Sequence, residues 1–226
     1  MPLTPVEVCI DQPDHIRFLS AETCQRVEMC SNLKADGLTP LPEAVEEIRL
    51  LGFDVVAMVR PRPGDFCYSK DEFESMKQST SDLLTAGAHG IVLGLLDRSQ
   101  RVPVSELREL VESCSGLPVT FHRAFDHSAD MEEDLERIID AGCQRLLTSG
   151  GASTAWLGRD ELARLVQQAD SRLEIIAGGG VRPGHAADLI RETSVPWIHL
   201  SARHESAEPD PELLVQLQAE LAAIDR

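Results

Sequence analysis

A single-domain (β/α)8 barrel is the fold this sequence predicts, and three observations predict it. Short apolar, β-branched runs begin near Val6, Val27, Val55, Gly90, Pro118, Arg145, Glu174 and Trp197, at steps of 21 to 35 residues. Helix-period segments fill the intervals, and several end on a glycine such as Gly52, Gly87 or Gly142, which suits the left-handed turn just past a helix. Eight strand–helix units in 226 residues, without a dinucleotide-binding glycine fingerprint, favour a closed barrel over an open doubly wound sheet. Residues 1–226 carry no linker or low-complexity stretch, so one domain is expected.

The first two strands carry a near repeat, Val6-Glu7-Val8-Cys9 and Val27-Glu28-Met29-Cys30. Alternation turns Val6, Val8, Ile10, Val27 and Met29 towards the helices, and Glu7, Cys9, Asp11, Glu28, Cys30 and Asn32 into the lumen. Equivalent positions of neighbouring parallel strands would place Glu7 beside Glu28 and Cys9 beside Cys30. The connection from Pro13 to Cys24 has the weakest helical pattern. Helices are predicted over Leu41 to Leu51, Lys70 to Ala86, Val104 to Ser113, Met131 to Ala141, Arg159 to Ala169, Pro183 to Arg191 and Pro211 to Asp225.

Composition narrows the function. The formal net charge is −17, lysine occurs only at 34, 70 and 77, and no basic run is present. That excludes a broad nucleic-acid or anionic-membrane footprint, which needs clustered cations. No apolar run reaches the roughly 18 residues of a membrane span, and the start lacks a signal-peptide pattern. A cytoplasmic protein is therefore expected. The six cysteines show no CxxC pair, so reduced thiols are expected, and a structural zinc site is not.

Chemistry-bearing residues gather at predicted strand C-termini, where barrel enzymes build their sites. Cys9 and Cys30 offer two thiols, and soft thiolates select Cu(I). Glu28 and His122 suit acid–base work in a barrel mouth. Arg60 and Arg62, Ser149, the triplet Gly178-Gly179-Gly180 and Ser201 suit an anion, because backbone N–H groups and a helix start attract negative charge. The run from Arg60 to Ser69 is long for a strand–helix loop and reads either as a lid or as a plain surface loop. Two functions stay open on these residues. One is Cu(I) binding; the other is an enzyme acting on a small phosphorylated or carboxylated metabolite with Glu28, His122 and Arg60, to which no specific activity is assigned.

Taken in order, the two strand repeats, Gly37-Leu38-Thr39-Pro40, Arg60-Pro61-Arg62-Pro63-Gly64-Asp65-Phe66, Phe121-His122-Arg123-Ala124-Phe125-Asp126, Thr148-Ser149-Gly150, Gly178-Gly179-Gly180 and His199-Leu200-Ser201-Ala202 resemble the CutC family. The resemblance covers nearly the whole chain. It implies a cytoplasmic TIM barrel, a homo-oligomer, assigned to copper homeostasis, with Cys9 and Cys30 matching the family's paired strand cysteines. The chain departs from the family pattern at Ser20–Gln25, where a glycine-rich turn is usual, and at Pro63, where glycine is common.

Overall fold

The β-branched runs become eight parallel strands because each is apolar towards the helices and pairs on both sides. The structure is a computed structural model that describes residues 4–204 and 208–224. Its strands are β1 (Val6–Ile10), β2 (Arg26–Met29), β3 (Val55–Val59), β4 (Gly90–Leu93), β5 (Val119–Phe121), β6 (Arg145–Thr148), β7 (Glu174–Gly178) and β8 (Trp197–Leu200). They hydrogen-bond in sequence order, and β8 pairs with β1 to close the barrel. The chain is a (β/α)8 TIM barrel, as expected.

Seven α-helices are present among the described residues: α1 (Pro42–Leu50), α2 (Lys70–Thr85), α3 (Val104–Ser113), α4 (Met131–Asp140), α5 (Arg159–Ala169), α6 (Ala186–Thr193) and α7 (Pro211–Ala222). The expected end of the last helix, Asp225, lies outside the described residues. Between β1 and β2 only a 3-10 turn forms, at Pro13–Phe18. Ser20 and Thr23 explain the early stop, because Thr23 Oγ1 bonds the Ser20 N–H and carbonyl and draws the backbone out of a helical path. Helix α6 starts at Ala186 rather than Pro183, leaving Val181–His185 between it and the glycine triplet. None of the described helices is long and apolar enough to cross a membrane.

Side-chain parity follows the expected division. Val6, Val8, Ile10, Val27, Met29 and their counterparts pack beneath the helices in one continuous core. A small separate cluster of Cys30, Val56, Met58 and Val92 sits inside the barrel. The base of the lumen is charged. Arg26 bonds the Glu7 carboxylate and lays its guanidinium 4.0 Å over the Trp197 ring, with both charged side chains essentially fully buried.

Removing one partner of a buried ion pair strands the other charge, at about 3–5 kcal/mol. The Arg26→Met variant should therefore lose stability on that order in chemical denaturation. A loss under about 1 kcal/mol would show that Glu7 does not depend on Arg26.

Candidate functional site

The strand registers decide which inward residues meet. Cys9 lies opposite Glu28, not Cys30, and Glu7 lies opposite Arg26 on one side and His199 on the other. The side-by-side expectation for Glu7/Glu28 and Cys9/Cys30 is corrected here: the β1–β2 ladder is slipped by two residues relative to the repeat. A two-residue slip keeps every side chain on its face but changes its level. In a tilted barrel, inward residues of alternate strands then share levels. Glu28 and His199, on the strands flanking β1, come together just below Cys9, while Cys30 sits higher and turns its thiol back to Glu28 at 3.6 Å.

Glu7, wholly buried, organises this floor. Its carboxylate accepts from Arg26 and bonds His199 Nδ1 at 2.8 Å. Burial would raise its pKa, but the Arg26 and His199 charges and hydrogen bonds outweigh burial and hold it at about 2. With Nδ1 anchored, the His199 ring points Nε2 towards Glu28, 3.7 Å from Oε2. Ligand atoms of Cys9, Glu28 and His199 all lie within 4.8 Å of one another, and all three residues are buried. Burial alone would lower His199, yet the negative charge that Cys9 and Glu28 can carry, with hydrogen bonds to Cys9 and Glu7, lifts it well above its ordinary value. Burial, with Glu7's charge adding, pushes Glu28 up to about 7 against the pull of His199. The Cys30 thiol is driven up by burial and by Glu28. Glu28 Oε1 has no hydrogen-bond partner.

Above this floor opens a cavity of about 1090 Å³ whose wall includes Cys9, Glu28, Met58, Arg60, His122, Gly179, Gly180, His199 and Ser201. It therefore gathers most of the residues the sequence singled out. Arg60 gives Nη1 to the Ala35 and Gly37 carbonyls and Nη2 to the Gly64 carbonyl, pinning the loops after β2 and β3. Its Nε is buried without a partner. His122 accepts the Ala124 N–H on Nδ1, so the neutral ring carries its proton on Nε2. Burial and the nearby Arg60 charge hold its pKa down at about 3. As a neutral ring it is a hydrogen-bond donor rather than a base near neutral pH.

Arg62, Ser149, Gly178 and Cys30 do not line this cavity. Arg62 commits its donors to Glu72, Asp65 and the Cys67 carbonyl, stabilising the loop that leads into α2. Ser149 is taken up by Asp126, Arg123 and the Ala152 carbonyl. Asp126 also accepts from Thr148 and from the Ser149 and Gly151 N–H groups, so it fastens the end of β6 to the turn after β5. The glycine triplet has a packing reason. A Cβ on Gly178 would meet Leu147 at 2.5 Å, and one on Gly179 would meet the Arg123 guanidinium at 3.1 Å.

His199 belongs to the central cluster, and the signal for it in the sequence is the alternation along β8, which turns it into the lumen beside Glu7. Arg123, Arg182 and Arg203 at the rim went unassigned, since isolated arginines in loops carry no pattern. Arg203 is aimed by Asp11 at 2.7 Å, and Asp11 also caps the Leu33 N–H.

Comparison with known proteins follows the same lines. The family model described as CutC family matches residues 4–204. A Caulobacter vibrioides family protein CutC is 41% identical over 194 residues, covering 86% of this chain and 79% of its own length. A Vibrio cholerae family protein CutC is 40% identical over 223 residues, covering 97% and 87%. A crystal structure of a Streptococcus agalactiae CutC, named for copper homeostasis, superposes with a TM-score of 0.84 at 27% identity, covering 88% of this chain and 99% of that one.

The depressed His122 pKa has a consequence for acid stability. Unfolded, the imidazole takes a proton below its ordinary value of 6.5; folded, it does so only near 3. The unfolded state binds more protons in that window, so stability falls as pH drops through it, by at most about 5 kcal/mol. The His122→Gln variant should show a flatter stability–pH curve between about pH 7 and pH 4. Parallel curves for variant and wild type would contradict a neutral buried His122.

Proposed function

The chain belongs to the CutC family, and we propose that it is a cytoplasmic copper-homeostasis protein that binds Cu(I) on the floor of the barrel through the Cys9 thiolate and the His199 imidazole. One observation carries the reading: Glu7 clamps His199 Nδ1 and leaves Nε2 beside the Cys9 thiol and the Glu28 carboxylate. Metal-binding histidines characteristically give their second nitrogen to a carboxylate, which fixes the ring and raises its basicity. Thiolate and imidazole are soft enough for Cu(I), and Cys9 and His199 are both largely buried. The free cysteines suit a reducing compartment.

The donor set fits the ion unevenly. Cys9 lines the cavity and is the accessible thiol. Cys30 is wholly buried, and its proton bonds Glu28, so recruiting it costs that bond and a deprotonation that burial opposes. Cys9 therefore ranks first and Cys30 second. His199 must shed the proton that Glu7 and Glu28 favour, so loading releases protons.

Competition with a chromogenic Cu(I) chelator tests this. Cys9→Ser should weaken Cu(I) binding at least about tenfold, equivalent to roughly 1.4 kcal/mol, and Cys30→Ser should weaken it less. Zinc should compete poorly, because three mixed donors do not close a structural tetrahedron. Wild-type affinity in the Cys9→Ser variant would remove the floor as the copper site.

A further inference from the structure

A copper ion would occupy a small part of a cavity whose volume matches that of small-molecule pockets. Two features of the upper wall define what else could bind there. His122 and Arg60 both line the cavity and are each at least nine-tenths buried, and His122 Nε2 and Arg60 Nε are buried nitrogens with no hydrogen-bond partner. Both side chains are held in place, His122 by the Ala124 N–H on Nδ1 and Arg60 by the three loop carbonyls that Nη1 and Nη2 reach. Phe66 touches both, its ring centre 5.2 Å from that of His122 and 5.0 Å from the Arg60 guanidinium carbon. Both side chains therefore pack against one aromatic ring.

Buried donors without acceptors are costly, and native folds rarely keep them idle. We propose that His122 Nε2–H and Arg60 Nε–H form an oxyanion pocket that receives the carboxylate or phosphate group of a small metabolite. The surrounding charge favours that class of ligand. In a chain of net charge −17, Lys34, Arg123, Arg182 and Arg203 also line this cavity. Of the acids facing it, Asp11 is engaged by Arg203, while Asp36 and Glu28 are the others on the wall. The pocket does not use the glycine triplet or a helix start, and no hydrogen bond or ion pair among the described residues joins it to Cys9, Glu28 or His199. It stands independently of the copper reading.

Histidine-selective 15N NMR on the full chain, in metal-free and phosphate-free buffer, tests the pocket. Inorganic phosphate and malonate are titrated separately to about 10 mM, tenfold above a weak site with a Kd of about 1 mM. The His122 Nε2–H resonance should shift saturably with at least one probe. A response to phosphate alone assigns a phosphorylated metabolite, to malonate alone a carboxylate, and to both a general oxyanion site; each supports the proposal. His122→Phe keeps a ring against Phe66 but has no N–H, and should weaken calorimetric binding of the responding probe at least about tenfold, the loss expected for a hydrogen bond to a charged group. A His122 resonance unmoved by both probes overturns the proposal, as does unchanged affinity in a folded His122→Phe variant. Should that variant fail to fold, the wild-type titration decides.

Discussion

The lower half of this barrel depends on one buried carboxylate. Glu7 has no contact with water, so it must be compensated inside the protein, and it draws a cation from each flanking strand: Arg26 from β2 and His199 from β8. That compensation ties together the three strands on which the barrel closes. It also fixes the His199 ring, because Nδ1 is committed to Glu7 and Nε2 can face only upward, towards Cys9 and Glu28. The second carboxylate is then left half-satisfied, with one oxygen near His199 and Cys30 and the other free. A structural network would be expected to close on itself. This one stays open at both ends: below Glu7 the Arg26 guanidinium lies over Trp197 with its Nη2 unpartnered, and above it Glu28 Oε1 is free.

Legibility of the sequence divides along a physical line. Strand starts, helix spans and the face of each strand residue were readable, because alternation with period 2 and the 3.6-residue helical period are local properties. The level of each inward residue was not, since ladder register depends on closure around eight strands. Val8 pairs with Val27, whereas the repeat aligns Val6 with Val27. The slip preserves parity, so Glu7, Cys9, Glu28 and Cys30 all face inward as expected, yet it replaces a thiol pair with a thiol–carboxylate–imidazole group. The same limit applies to Arg62 and Ser149. Both follow the ends of their strands, β3 at Val59 and β6 at Thr148, but the partners that occupy them, Glu72 and Asp126, lie 10 and 23 residues away in sequence and become neighbours only through loop geometry.

The cavity has its own cause in the sequence. Cys9, Gly179, Gly180 and Ser201 are small residues on its wall, beside the larger Met58 and Leu147. A barrel interior is normally filled by bulky aliphatic layers. Here the filling stops partway up, and Gly94 shows that the gap is kept deliberately tight around His122: a Cβ there would meet the imidazole Nδ1 at 2.4 Å. Rigid loops complete the rim. Asp11 joins the loops after β1, β2 and β8, and Asp126 joins those after β5 and β6, each by several charge-assisted bonds.

These features give the two halves of the site different chemical tastes. The floor offers a thiol, an imidazole and a carboxylate within one coordination radius, a set that favours a soft cation. The upper wall offers N–H groups and a surplus of cationic side chains, a set that favours an oxyanion. Opposite charges bound one above the other would lower each other's electrostatic cost in a partly desolvated cavity. On the two readings proposed above, a cation on the floor and an oxyanion at the wall would each favour the other's binding. Since each would strengthen the other's binding by the same factor, affinity for an anion measured with and without a bound cation is the quantity through which the floor and the wall report on each other.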